Sequence, residues 1–264
     1  MTVNRCVVYR SHRGMGPTHA NLIDLDAELA SLLAPHRIQK ARSELRVEVL
    51  CIPAGPWDPE AMPVAATSSL GMLVVEGVVA RDVIIGSNRT TELLGPGDLM
   101  RPWEPLETPT LVPHVLEWAV LDSGRIAVLG NDVAVRLAMY PEVGAVLFER
   151  MVARSRRLAI EHAIAGLNRV EHRVAFLLWH LAERWGRVGP DGVLVPVTLS
   201  HRMIGQIVSA RRPTVSAAVS RLRESGELVR RPDGTWLLTG EPPNLPDGGL
   251  ERILPRRRIL SHGV

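Results

Sequence analysis

The spacing of apolar positions changes several times along this chain, and each change predicts a different element. Leu22, Leu25, Leu29, Leu32 and Leu33 recur at three and four, which predicts helix over 21–45, interrupted at Pro35 and resuming over 37–45. From residue 47 the pattern becomes short β-rich runs: 47–50, 72–75, 78–85, 91–94, 115–120 and 125–129. Gly77, Gly86-Ser87-Asn88, Gly95-Pro96-Gly97-Asp98 and Asp122-Ser123-Gly124 read as turns between them, and Pro53, Pro56, Pro59 and Pro63 as a loop. Many short strands at close spacing predict a small antiparallel barrel or sandwich. Helix returns at 132–139, and Pro141 suits the first turn of a long helix over 141–167. There Val143, Leu147, Met151, Leu158 and Ala165 form one narrow stripe, broken by Arg154 and Glu161, which predicts packing on a partner helix. A helix packed within its own domain has the same periodicity and is the alternative.

The last third carries a more specific pattern. Residues 170–187 read as helix, with Val170, Val174, Leu177, Leu178 and Leu181 apolar, and 193–195 as a short strand. Ser200 is placed to cap a helix whose apolar face is Ile204, Ile207 and Val208. Ser209-Ala210 makes a tight turn into a second helix that begins at Arg212-Pro213. Val215, Ala218, Val219 and Leu222 form its apolar side, and Thr214, Ser216, Ala217 and Ser220 its small, polar side. A helix that enters a groove about 12 Å wide must keep bulk off its outer face except where it reads a base. Gly226 ends this helix, and Pro232-Asp233-Gly234 turns a hairpin between 228–231 and 235–238. Helix, turn, helix and hairpin make a winged helix-turn-helix.

Charge agrees with that division. Residues 1–149 hold 12 basic against 18 acidic side chains, a net −6, and residues 150–264 hold 19 against 10, a net +9. A basic half beside an acidic half predicts that the former meets a polyanion. Lys40 is the only lysine, a bias that reflects composition more than recognition. Two cysteines, Cys6 and Cys51, are too few for a disulfide framework or a cluster held by one chain, and are expected to be reduced thiols.

The run Ile204-Gly205-Gln206-Ile207-Val208-Ser209-Ala210-Arg211-Arg212-Pro213-Thr214-Val215-Ser216, followed by Leu222 and Gly226-Glu227-Leu228, resembles the reading head of the cyclic-AMP receptor and fumarate–nitrate-reductase regulator (Crp/Fnr) family. Residues 71–97 resemble that family's cyclic-nucleotide-binding barrel, more weakly. The implied fold is α+β: an N-terminal arm (1–20), a jelly-roll-type antiparallel barrel with flanking helices (21–135), a dimerisation helix and hinge (136–168), a winged helix-turn-helix (169–240) and a basic tail (241–264). The implied function is a sequence-specific transcription regulator that binds double-stranded DNA as a homodimer, with RNA polymerase allowed as a protein partner. By position, the resemblance implies base reading by Arg212, Thr214 and Ser216. It implies phosphate contacts from Ser200, His201, Ser209, Arg211 and Arg221, and from Arg230 and Arg231 on the wing. Pro213 and Ala217 stand where the family often has Glu and Arg, so its best-known operator is not expected.

The barrel departs further. The family holds a cyclic phosphate with a Gly-Glu pair after the Gly-Asp turn and an Arg farther on. Here Gly97-Asp98 runs into Leu99-Met100-Arg101-Pro102-Trp103-Glu104, and 105–116 contain no Arg. A buried phosphate would lack its backbone cradle and its bidentate partner, so cyclic-AMP binding in the family's manner is not expected. No cofactor or metal is expected and no effector is assigned. Arg101 and Trp103 are the candidate residues for another ligand, with a stacked cluster at the barrel rim as the plainer reading. A cupin-like metalloenzyme would need several His in the barrel, where only His114 of nine lies, and no catalytic motif is present, so no enzyme activity is expected. A sensor acting by protein contact alone is the other alternative. No apolar run reaches the ~18 residues of a membrane span and the N-terminus lacks a signal-peptide core, so a cytoplasmic protein off the membrane is expected. Pro255 breaks any amphipathic helix in the tail.

Overall fold

The computed structural model describes residues 18–59, 70–103 and 111–243. Residues 1–17 of the expected arm, Cys6 and the tail from 244 lie outside these. The fold is α+β. β1 (Thr18–Asn21), the short helix α1 (Leu22–Leu25), a 3-10 turn (Ala27–Ala30) and α2 (Pro35–Glu44) precede the barrel-like sheet. That sheet comprises β2 (Arg46–Ile52), β3 (Gly55–Trp57), β4 (Gly71–Ile85), β5 (Asn88–Leu94), β6 (Leu99–Met100) and β7 (Val115–Leu129), with β1 on its edge. All its pairings are antiparallel, in the order β1-β2-β7-β4-β5, with β3 on β7 and β6 on β4.

Three expectations are corrected here. The leucine pattern of 21–33 is not one helix, because Asn21 and Asp26 each cap a separate turn with their side chains. Gly55–Trp57, expected as loop, is a strand. Gly77 and Asp122-Ser123-Gly124 are not turns: β4 and β7 run straight through them for 15 residues each. Register shifts between Val74 and Val79 mark bulges, where the two paired strands bend together. Gly77 (φ 86°) and Gly124 meet there, and a Cβ on Gly124 would lie 1.9 Å from the Glu76 carbonyl oxygen. The barrel interior is apolar. Ile52, Met72, Val74, Val79, Leu94, Met100, Val120 and Ile126 are all nearly fully buried, with Trp57, Trp103 and Trp118 packed against them.

α3 (Asn131–Leu137) leads into α4 (Pro141–Ala165), and Gly166 ends that helix. The expected single stripe of α4 splits in two. Val143 and Leu147 face the chain's own core with Val146, Met151 and Leu158 are exposed, and Ala165 is half-buried. The outward row is instead Phe148, Met151, Val152 and Leu158. Spacing alone does not distinguish two adjacent apolar rows on a helix from one wider stripe.

The C-terminal domain follows as α5 (Val170–Trp185), β8 (Arg187–Gly189), β9 (Gly192–Val195), α6 (His201–Ile207), α7 (Arg212–Glu224), β10 (Leu228–Arg230) and β11 (Trp236–Leu238). Its sheet is ordered β10-β11-β9-β8. Trp236, fully buried, sits in a core with Val174, Leu177, Leu181, Ile204 and Val215. That core also takes in Val78, Ala80 and Leu93 of the barrel, so the C-terminal domain rests directly on β4 and β5.

Candidate nucleic-acid interface

The helix-turn-helix is set by local chemistry. Ser200 caps α6 by accepting from the Met203 amide at 3.2 Å. Ser209 adopts a left-handed conformation (φ 52°) in the turn. The Ala210 amide donates to the Gly205 carbonyl at 2.8 Å, and a Cβ at Gly205 would lie 2.4 Å from the Ala210 oxygen. Glycine therefore permits the close approach of the turn backbone to α6. Val215, Ala218, Val219 and Leu222 are buried, which turns the opposite face of α7 outward. Arg211, Arg212, Pro213, Thr214, Ala217 and Ser220 on that face are exposed.

The structure sorts the expected contacts. Arg212 and Thr214 project freely from the first turn of α7. Ser216 does not: its hydroxyl donates to the Arg212 carbonyl at 3.0 Å and so must accept from His201 Nδ1 at 2.9 Å. This network assigns the Nδ1–H tautomer to His201. The His201 ring lies 6.2 Å from that of Trp236, and Nε2 is buried without a partner. Burial, with the charges of Arg230 and Arg212, pushes the His201 pKa down. His201, expected at a phosphate, thus joins α6, the reading helix and the wing as a neutral internal link. Ser200, Ser209, Arg211, Arg230 and Arg231 are exposed. Arg230 also covers the Trp236 ring at 5.4 Å. Arg221 is exposed but ion-paired with Glu171. The hairpin turn is held by Asp233, which accepts from the Thr235 amide at 2.9 Å and its hydroxyl at 2.6 Å.

Two residues escaped sequence reasoning because they lie some 40 positions upstream of α7. Arg169 is exposed beside a groove of about 540 Å³, lined also by Asn168, Glu171, Thr214, Ala217 and Arg221. Arg173 donates to the Leu167 carbonyl at 2.5 Å and to the carbonyls of Val208 and Ser209 at 3.1 and 3.2 Å, which ties the segment between α4 and α5 to the helix-turn-helix turn. At the barrel rim Arg101 is exposed and Trp103 packs inward. Among the described residues no ring contact joins the two, so the expected stack is absent.

Residues 172–239 match the family described as Crp-like helix-turn-helix domain. No curated protein matches the chain. Solved structures share its fold over most of its length. A CooA mutant from Carboxydothermus hydrogenoformans is 16% identical with a TM-score of 0.58, covering 82% of this chain and 91% of its own. A cyclic nucleotide-binding domain containing protein from Listeria monocytogenes EGD-e is 14% identical with a TM-score of 0.58, covering 81% and 96%. FixK2 from Bradyrhizobium japonicum is 18% identical with a TM-score of 0.52, covering 74% and 93%. An outward arginine-led helix, a wing and a matched reading domain define a DNA-binding transcription regulator. Residues 172–239 are a Crp-like helix-turn-helix domain, and the chain as a whole shares the fold of the solved structures named above. No helix among the described residues is long and apolar enough to cross a membrane.

Proposed function

We propose that the protein acts in the cytoplasm as a homodimer on a two-fold-related operator, with α4 of each chain packed on its partner. One observation carries this reading. Phe148, Met151, Val152 and Leu158 form an exposed apolar row on the helix that leads to the reading head. Four such side chains on one face are costly in water and stabilising against a second copy. Two α7 helices then enter successive major grooves about 34 Å apart. Arg212 reads a guanine edge, with Thr214 beside it. Ser200, Ser209, Arg211, Arg230 and Arg231 hold phosphates, joined by Arg169 from the hinge. RNA polymerase is allowed as a protein partner of the bound dimer. The proposal includes neither a cyclic-AMP effector nor catalysis. The barrel interior offers aliphatic side chains where a phosphate would need a cation and donors.

The test is binding to genomic DNA fragments at two salt concentrations, with mass by light scattering. Affinity that falls with salt and a dimer mass at micromolar concentration support the proposal. A monomer, or fragments never retained, contradicts it.

A further inference from the structure

Two buried carboxylates stand where the barrel, α4 and α5 meet. Asp98, 3% exposed, accepts from Arg157 at 2.5 Å through Oδ1, and through Oδ2 accepts from the Gly95 amide at 2.9 Å and pairs with Arg184. Glu92, 8% exposed, is bound by Arg154 at 2.6 and 2.9 Å and by Arg81 at 2.6 Å. Arg157 and Arg154 belong to α4 and Arg184 to α5, so these contacts fasten the reading head and its lead helix to one edge of the barrel. Arg184 also donates to the Leu93 carbonyl at 3.2 Å. Trp185 lies so close to Gly95 that a Cβ there would be 2.6 Å from the indole.

Glu161 completes the junction. It sits on α4 facing Glu92 and Asp98 on the barrel, Arg157 on its own helix and Arg184 on α5. His180 on α5 faces the same two arginines and is hydrogen-bonded to Glu183. Among the described residues Glu161 has no ion-pair partner, because Asp98 already occupies both arginines.

We infer that Asp98, Arg157, Arg184 and Glu161 are positioning residues for DNA binding: together they set how firmly the reading head is locked to the barrel. The inference rests on the dimeric DNA-binding reading. The outer face of α7 is exposed while the head is docked, so docking does not hide it. What docking does is fix the direction of each head, so that two heads meet one duplex without first being ordered. Burial, then the neighbouring Glu92, raises the Glu161 pKa to about 7. A released head returns that carboxyl to water and its ordinary, lower value. The docked state therefore holds the extra proton, and docking weakens as pH rises toward about 7 and levels off above it. His180, whose pKa burial pushes below 6.5, gives the opposite slope. The difference between wild type and E161Q isolates Glu161.

The experiment uses the full chain. Amide hydrogen exchange over residues 91–98 and 181–186 is followed from pH about 5.5 to 7.5, corrected for intrinsic rates, in wild type, E161Q and R184Q. Affinity is measured for a duplex selected from a random pool by wild type, with both half-sites or with one. R184Q is used because Asp98 also holds the Gly95 turn. We expect R184Q to raise exchange at the junction about tenfold or more. Two-half-site affinity falls by a similar factor, while one-half-site affinity stays within about twofold. Relative to E161Q, wild-type protection falls by up to about tenfold per pH unit below pH 7. Unchanged exchange and two-site affinity in R184Q, or an E161Q profile parallel to wild type, overturns the inference. If wild type retains no duplex, the DNA-binding reading fails, and hydrogen exchange still decides the lock.

Discussion

Replacing Arg212 by alanine separates base reading from backbone attraction. Arg212 is exposed at the first turn of α7, and among the described residues its side chain makes no hydrogen bond or ion pair. Its removal therefore leaves no buried partner unpaired, and thermal stability should move by less than ~0.5 kcal/mol. A bidentate contact to guanine contributes about 1–3 kcal/mol. A dimer loses it twice, so the cost on a two-half-site duplex is about 2–6 kcal/mol, or roughly thirtyfold to twenty-thousandfold in affinity. The assay is fluorescence anisotropy on a selected duplex and a scrambled one at several salt concentrations. A base contact lowers affinity only for the selected duplex and leaves the salt slope unchanged. Equal loss on both, with a slope shallower by about 0.9 per head, refutes the reasoning and assigns Arg212 to a phosphate.

Other consequences are as direct. M151E or F148E places a charge on the exposed row of α4, and light scattering should show monomers with little change in melting temperature. W236A empties the centre of the C-terminal core and should cost about 3–5 kcal/mol in denaturant unfolding. His201 has a pKa below its ordinary 6.5 in the folded protein, so the stability it adds is present above pH 6.5 and lost as pH falls below it. H201N keeps a donor near Nδ1 and should retain specific affinity without this acid loss. H201A should lose affinity at every pH, and identical behaviour of the two variants would remove the proposed link to Ser216.

The recognition motif was legible because its determinants are local: a serine cap, a tight turn, alternating apolar and small faces, and a Pro-Asp-Gly hairpin. The long strands were not. Gly77 and Gly124 have the local character of turns, and only their mutual approach across two strands makes them a bend. The spacing of Ser216 permits an outward position, while its orientation depends on His201, 15 residues away. The α4 stripe divides because the core that receives Val143 and Leu147 is assembled from residues 22–49, Leu73 and 127–140, which spacing within the helix does not encode. In the sequence Asp98 has only the local character of a turn residue. Its arginine partners lie 59 and 86 positions away, and no local pattern encodes such pairs.

Hydroxyl-radical footprinting of the wild-type protein on a retained genomic fragment tests the central claim most directly. The account predicts two protected patches related by two-fold symmetry, their centres about one helical turn apart. A single patch, or cleavage unchanged by saturating protein, would contradict it.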